Sequence, residues 1–151
     1  MKKIINCTAL AVLVLIGCTA ASAQKKAPDY KITAIHITPF DSNTGKFEDE
    51  ITANSDRSFF NDLAISLLVV VEVAGQTGSF EAGRQAEITV MEGKKIKKKK
   101  VEQIGIPSDG KFFVPVWLDS PMCSEVTVTA RMIGQKTVSR TVRKVPFQCG
   151  E

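Results

Sequence analysis

The chain has 151 residues, with 20 basic and 16 acidic side chains, 44% hydrophobic residues and four cysteines. That length suits one domain burying roughly two thirds of its unfolded surface, and it is too short for two comfortable ones. From Gln24 onward 18 bases face 16 acids, a net of +2, so strong basicity is not a property of the whole chain.

Lys2 and Lys3 precede an apolar run from Ile4 to Ile16 that is broken by polar residues at 6–8. A spanning helix needs ~20 apolar residues. The run is too short for that and has the charged and apolar halves of an export signal. Two cuts fit it. Ala21-Ser22-Ala23 before Gln24 suits a general signal peptidase and predicts a signal over 1–23. Leu15-Ile16-Gly17-Cys18 resembles a bacterial lipobox, with Ile16 at a position where alanine or serine is usual. That resemblance implies a signal over 1–17 and acylation of Cys18. Residues 24–30 are then a tether, and 31–149 the folded domain.

Beyond the tether, period-two patterning dominates, and no stretch of helical length carries an apolar face at 3.6 spacing. "KITAIHITPF" sets Thr33, Ile35 and Ile37 on one face and Ile32, Ala34 and His36 on the other. Residues 41–61 lack a clear pattern apart from a short strand expected around 47–51. "NDLAISLLVVVEVAG" aligns Leu63, Ile65, Leu67, Val69, Val71 and Val73, and predicts a central core strand flanked by Asp62 and Glu72. "QAEITVM" points Ala86, Ile88 and Val90 inward. "KFFVPVWL" aligns Phe112, Val114, Val116 and Leu118, and Pro115 marks an edge or a bulge because it has no N–H for a ladder. "EVTVTARMI" buries Val126, Val128, Ala130 and Met132. "KTVSRTVRKVPF" alternates more weakly, with Val138 and Val142 as its inward residues.

About six or seven short strands, with turn signals at Gly75, Gly93, Gly110 and Gly134, predict an all-β fold: a single antiparallel β-sandwich. The order is similar to an immunoglobulin or fibronectin type III sandwich over roughly residues 30–149. It lacks the antibody pattern of facing cysteines around a buried tryptophan; Trp117 precedes both late cysteines.

Either cut leaves Cys123 and Cys149 as a pair. Outside the cytoplasm an even pair predicts a disulfide. Two cysteines and one histidine, His36, do not complete a zinc set, so no metal or other cofactor is expected. In a hairpin, facing residues share a constant sum of numbers. Cys123 and Cys149 total 272, which centres the last hairpin on residue 136, beside Gly134.

The densest feature is a run of six lysines in seven positions: Lys94, Lys95, Lys97, Lys98, Lys99 and Lys100. As a strand, neither of its faces can be buried through the middle. It reads as a guarded sheet edge, where lysine discourages edge-to-edge pairing, or as a contact for anionic glycan or lipid head groups or an acidic partner. Nucleic acid is excluded as a partner by the export signal and by the lack of aromatic residues among the lysines. Residues 41–87 carry a net of −6 and 88–151 a net of +6, which predicts separate acidic and basic surfaces unless the fold interleaves them.

"DSNTG" departs from the EF-hand spacing, and no nucleophile signature such as G-x-S-x-G occurs. The expectation is therefore a noncatalytic binding or assembly module of the bacterial envelope, in the periplasm or at the outer membrane. Its partner is an envelope protein or glycan, and it meets the membrane only through a lipid anchor.

Overall fold

The computed structural model describes residues 27–52, 59–61, 64–119 and 122–149, with the backbone alone for 59–61 and 148–149. The segment expected to be an export signal, Cys18, Leu63 and the side chain of Cys149 lie outside what is described. Ten strands occur among the described residues: β1 (Lys31–Asp41), β2 (Lys46–Phe47), β3 (Phe59–Asn61), β4 (Ile65–Ala74), β5 (Ser79–Glu92), β6 (Lys95–Ile106), β7 (Lys111–Leu118), β8 (Val126–Ile133), β9 (Arg140–Val145) and β10 (Phe147–Cys149). No helix occurs among the described residues.

The antiparallel sheets run β2-β1-β4-β7 and β6-β5-β8-β9, and β10 lies parallel to β3 in a short separate pair. The fold is an all-β sandwich. Leu67, Val69, Val71 and Val73 of β4 and Val114, Val116 and Leu118 of β7 meet Ala86, Ile88 and Val90 of β5 and Val126, Val128 and Ala130 of β8 in one core. These are the alternating residues of each strand, as burying one face of a pleated sheet requires. The order places β4 centrally, as its long apolar run predicts, and β6 and Pro115-bearing β7 at edges.

Two strands differ from simple alternation. The register of β1 against β4 shifts between Ile32 and Ala34. This bulge at Thr33 puts Ile32 on the buried face with Ile35 and Ile37, and Thr33 outside. In β9 the expected inward residues are exposed: Val142 is 46% accessible, and Val138, ahead of the strand, 88%. Pairing with β8 decides this, because Val126↔Val145, Val128↔Arg143 and Ala130↔Thr141 share a face, leaving Val142 opposite outward Thr129. These pairs total 271, within one residue of the hairpin expected from the cysteines.

The short strand expected around 47–51 is β2, which ends at Phe47. Beyond it the chain follows β1, with Glu48 N–H donating to the Pro39 carbonyl at 3.0 Å and Ile51 N–H to that of Ile37 at 2.9 Å. Ile51 is buried.

The strand directions give the sandwich two poles. Residues 27–30 and the turns at 75–78, 107–110 and 134–137 share one; the β1–β2 and β5–β6 turns and segment 122–125 share the other. At the first pole residues 29–32, at the entry to β1, are clamped by side chains. Tyr30 N–H donates to Gln135 Oε1 and Gln135 Nε2 donates to the Tyr30 carbonyl, each at 2.9 Å, as a neighbouring strand would. Ile32 N–H donates to Ser139 Oγ at 2.8 Å and Thr137 Oγ1 to Asp29 at 2.5 Å. Gly134 makes the clamp possible: its φ is +79°, and a Cβ there would lie 1.9 Å from the Gly83 carbonyl oxygen.

Candidate functional site

The lysine run occupies the start of edge strand β6, and the turn at Gly93 that precedes it lies at the pole opposite the tether. A strand of 12 residues separates the two ends by roughly 40 Å. Gly93 has φ +54°, which closes the β5–β6 hairpin.

The six lysines divide into two sets. Lys97 Nζ lies 2.9 Å from Glu92, Lys99 Nζ 3.0 Å from Glu87, and Lys100 Nζ 3.2 Å from Glu102. Lys100 also donates to the Pro115 carbonyl at 3.1 Å, bridging the edges of the two sheets. Lys94, Lys95 and Lys98 are exposed and have no acidic partner among the described residues. Ile96, between them, is 59% accessible. On β6 only Ile104 and Ile106 reach the core, so the polar middle of the strand is excluded from it.

Glu92 anchors this tip. Besides Lys97 it accepts the backbone N–H of Cys123 at 2.6 Å, and Gly93 N–H donates to the Glu125 carbonyl at 2.9 Å. The Lys97 ammonium, with the N–H groups of Cys123 and Ser124, holds the Glu92 carboxyl below its usual range. The hairpin is thus fixed against segment 122–125.

The acidic and basic halves of the sequence do not form separate surfaces. Glu50 meets Arg143 at 3.3 Å, Glu72 meets Lys111 at 3.1 Å, and Glu87 takes Arg131 at 2.6 Å as well as Lys99. Strand pairing interleaves them and leaves the partner-free lysines of the tip.

The other singled-out residues have local roles. Asp41 accepts the N–H of Asn43 at 2.8 Å and the hydroxyl of Thr44 at 2.9 Å, closing its own turn. Among the described residues no group of three His, Cys, Asp or Glu side chains is placed to hold a metal ion. His36 pairs with Glu50 at 3.1 Å, which Arg143 also meets. Cys123 is exposed within the segment that braces the tip.

An aromatic cluster near the same pole escaped the sequence reading. Phe40 lies 5.0 Å from Phe47 and 5.6 Å from Trp117, centroid to centroid, and Phe47 meets Trp117 edge-on at 6.3 Å and 88°. The signal was present: with Val114, Val116 and Leu118 inward, Trp117 must face out. A cleft of about 640 Å³ at the tether pole, lined by Asp29, Arg84 and residues 134–137, belongs to the clamp. Arg84 there donates to the Gly134 carbonyl at 3.0 Å.

No protein-family model matches the chain, and no curated protein matches it in sequence. Function must then be argued from the tip's own chemistry.

Proposed function

We propose that the chain is an exported, noncatalytic recognition module of the bacterial envelope, periplasmic or anchored at the outer membrane through Cys18, that engages an anionic partner through the lysine tip. The observation carrying this is the trio Lys94, Lys95 and Lys98, left without acidic partners among the described residues on a braced hairpin. The brace holds the hairpin backbone, so binding has only the lysine side chains to order, and their field steers anions to the tip.

The strand order supports an immunoglobulin or fibronectin type III plan. β1, β4 and β7 correspond to strands A, B and E, and β6, β5, β8 and β9 to C′, C, F and G. The near-coincident totals of 271 and 272 support a bridge between Cys123 and Cys149, which would close the region behind the tip. Glu72, Glu87, Glu92 and Glu125 are each held below their ordinary pKa by hydrogen-bonding partners, and so serve as acceptors that order the surface.

Edge guarding favours the tip over strand addition. β6 carries the lysines, β9 carries Arg140, Arg143 and Lys144, β7 carries Pro115, and β2 is two residues long.

The test is salt-dependent retention on anionic surfaces, with replacement of all six lysines by serine. Loss of retention is the expected result; unchanged retention removes the proposal. Intact mass of the exported protein decides the anchor, since an N-terminus at Gln24 excludes acylation of Cys18.

A further inference from the structure

We infer that the tip takes an acidic glycan, with Lys94, Lys95 and Lys98 receiving its anionic groups and the Phe40, Phe47 and Trp117 platform receiving the apolar faces of its sugar rings. This rests on the proposed anionic partner and narrows it to one chemistry and half of the lysines.

Charge gives the first argument. Lys97, Lys99 and Lys100 are each within 3.2 Å of a glutamate, so an incoming anion must compete with a carboxylate already in place. Lys94, Lys95 and Lys98 impose no such competition.

The outer face of the β1-β4-β7 sheet gives the second. A sheet face turned to water is normally polar, yet here Leu68 pairs beside Trp117 and Val70 beside Pro115 at outward positions. Phe47, at the end of this apolar strip, is 54% accessible. The three rings pack on one another and form a platform before any ligand arrives.

Position joins the two. Lys100 Nζ reaches the Pro115 carbonyl, tying the edge of β6 to the edge of β7. The two strands run in opposite directions, so Lys98 and Trp117 lie one step closer to the same pole. A glycan bearing carboxylates offers both an anion and an apolar ring face within one residue. An anionic bilayer would use the lysines with exposed Ile96 and Phe47 as its apolar contacts, and the vesicle arm of the test separates it from a glycan.

The test uses the full exported chain on immobilised polygalacturonate, with phosphatidylglycerol vesicles and neutral dextran in parallel. Two triple variants lose the same charge: Lys94→Ser with Lys95→Ser and Lys98→Ser, and Lys97→Ser with Lys99→Ser and Lys100→Ser. Thermal unfolding confirms that each is folded. The first triple is expected to weaken polygalacturonate binding at least about tenfold and the second less than about threefold. Phe47→Ser, at an exposed position, is expected to weaken glycan binding about threefold or more and leave vesicle binding unchanged. Equal losses in the two triples overturn the assignment to Lys94, Lys95 and Lys98 while the anionic partner stands. Vesicle binding as tight as glycan binding, with Phe47→Ser affecting the two alike, overturns the glycan in favour of a membrane surface. Wild-type protein retained on neither surface removes this inference and the proposed function together.

Discussion

The carboxylate of Glu92, the last residue of β5, accepts the backbone N–H of Cys123 at 2.6 Å, and so fastens the lysine hairpin to the segment leading into β8. The same carboxylate holds Lys97. Glu92→Ala removes both contacts and hands the exposed Cys123 N–H to water. A loss of about 1 kcal/mol is expected, read as a lower urea midpoint at unchanged slope. A variant as stable as the wild type would show that the brace is idle.

Acid should loosen the sandwich. The Thr33 hydroxyl holds Glu72, Arg131 holds Glu87 and Lys97 holds Glu92 below the ordinary value of 4.5. A carboxylate depressed in the folded state stabilises fully above its unfolded pKa, and that stabilisation is lost as pH falls through the folded pKa. Stability from these groups is therefore flat near neutrality and declines below about pH 4.5. Urea midpoints across pH 3 to 7, roughly the range these groups govern, check this, and Glu87→Gln should flatten the acid limb. A midpoint independent of pH below that value contradicts it.

Tyr30 is fully buried, and its hydroxyl has no partner among the described residues. An unsatisfied buried hydroxyl carries its desolvation penalty, so Tyr30→Phe is expected to leave stability unchanged or raise it by about 1 kcal/mol. A drop of that size would reveal a hydrogen bond to the hydroxyl.

Gly134→Ala combines a left-handed backbone with a Cβ driven against the Gly83 carbonyl. The expected cost is about 2 kcal/mol or more, read as a lowered Tm. Gln135→Ala tests the same clamp from the side-chain end. It should increase hydrogen exchange at Tyr30 while amides in β4 stay protected.

The proposed bridge between Cys123 and Cys149 closes a loop whose removal costs roughly 3 kcal/mol in the chain-entropy model. Cys123→Ser with Cys149→Ser should lower stability by about that amount. Two reactive thiols in the native protein would sink the bridge outright.

How much of this was written in the sequence varies by strand. β4 was legible because its alternation is long and its buried face uniformly aliphatic, and β8 for the same reason. The bulge at Thr33 was not: extruding one residue changes which face Ile32 occupies without changing composition. β9 was misread because "RTVRKV" has no dominant apolar parity, and the register with β8 decides which residues turn inward. The lysine run was legible as a guarded edge. Its division was not, because Glu92 and Glu87 reach Lys97 and Lys99 across a strand pairing that one-dimensional spacing does not contain.

The separation of the two poles also sets how the domain bears force. Tension between the clamped tether and a ligand held at the tip would run along the strands. β1, held at Ile32 by Ser139 and just ahead of its start at Tyr30 by Gln135, pairs with β4 from Lys31 to Asp41. A pull along that axis loads these ladder hydrogen bonds side by side in shear, so many must yield together rather than unzip one after another. On the proposed function, the domain would be oriented to resist being dragged by its ligand.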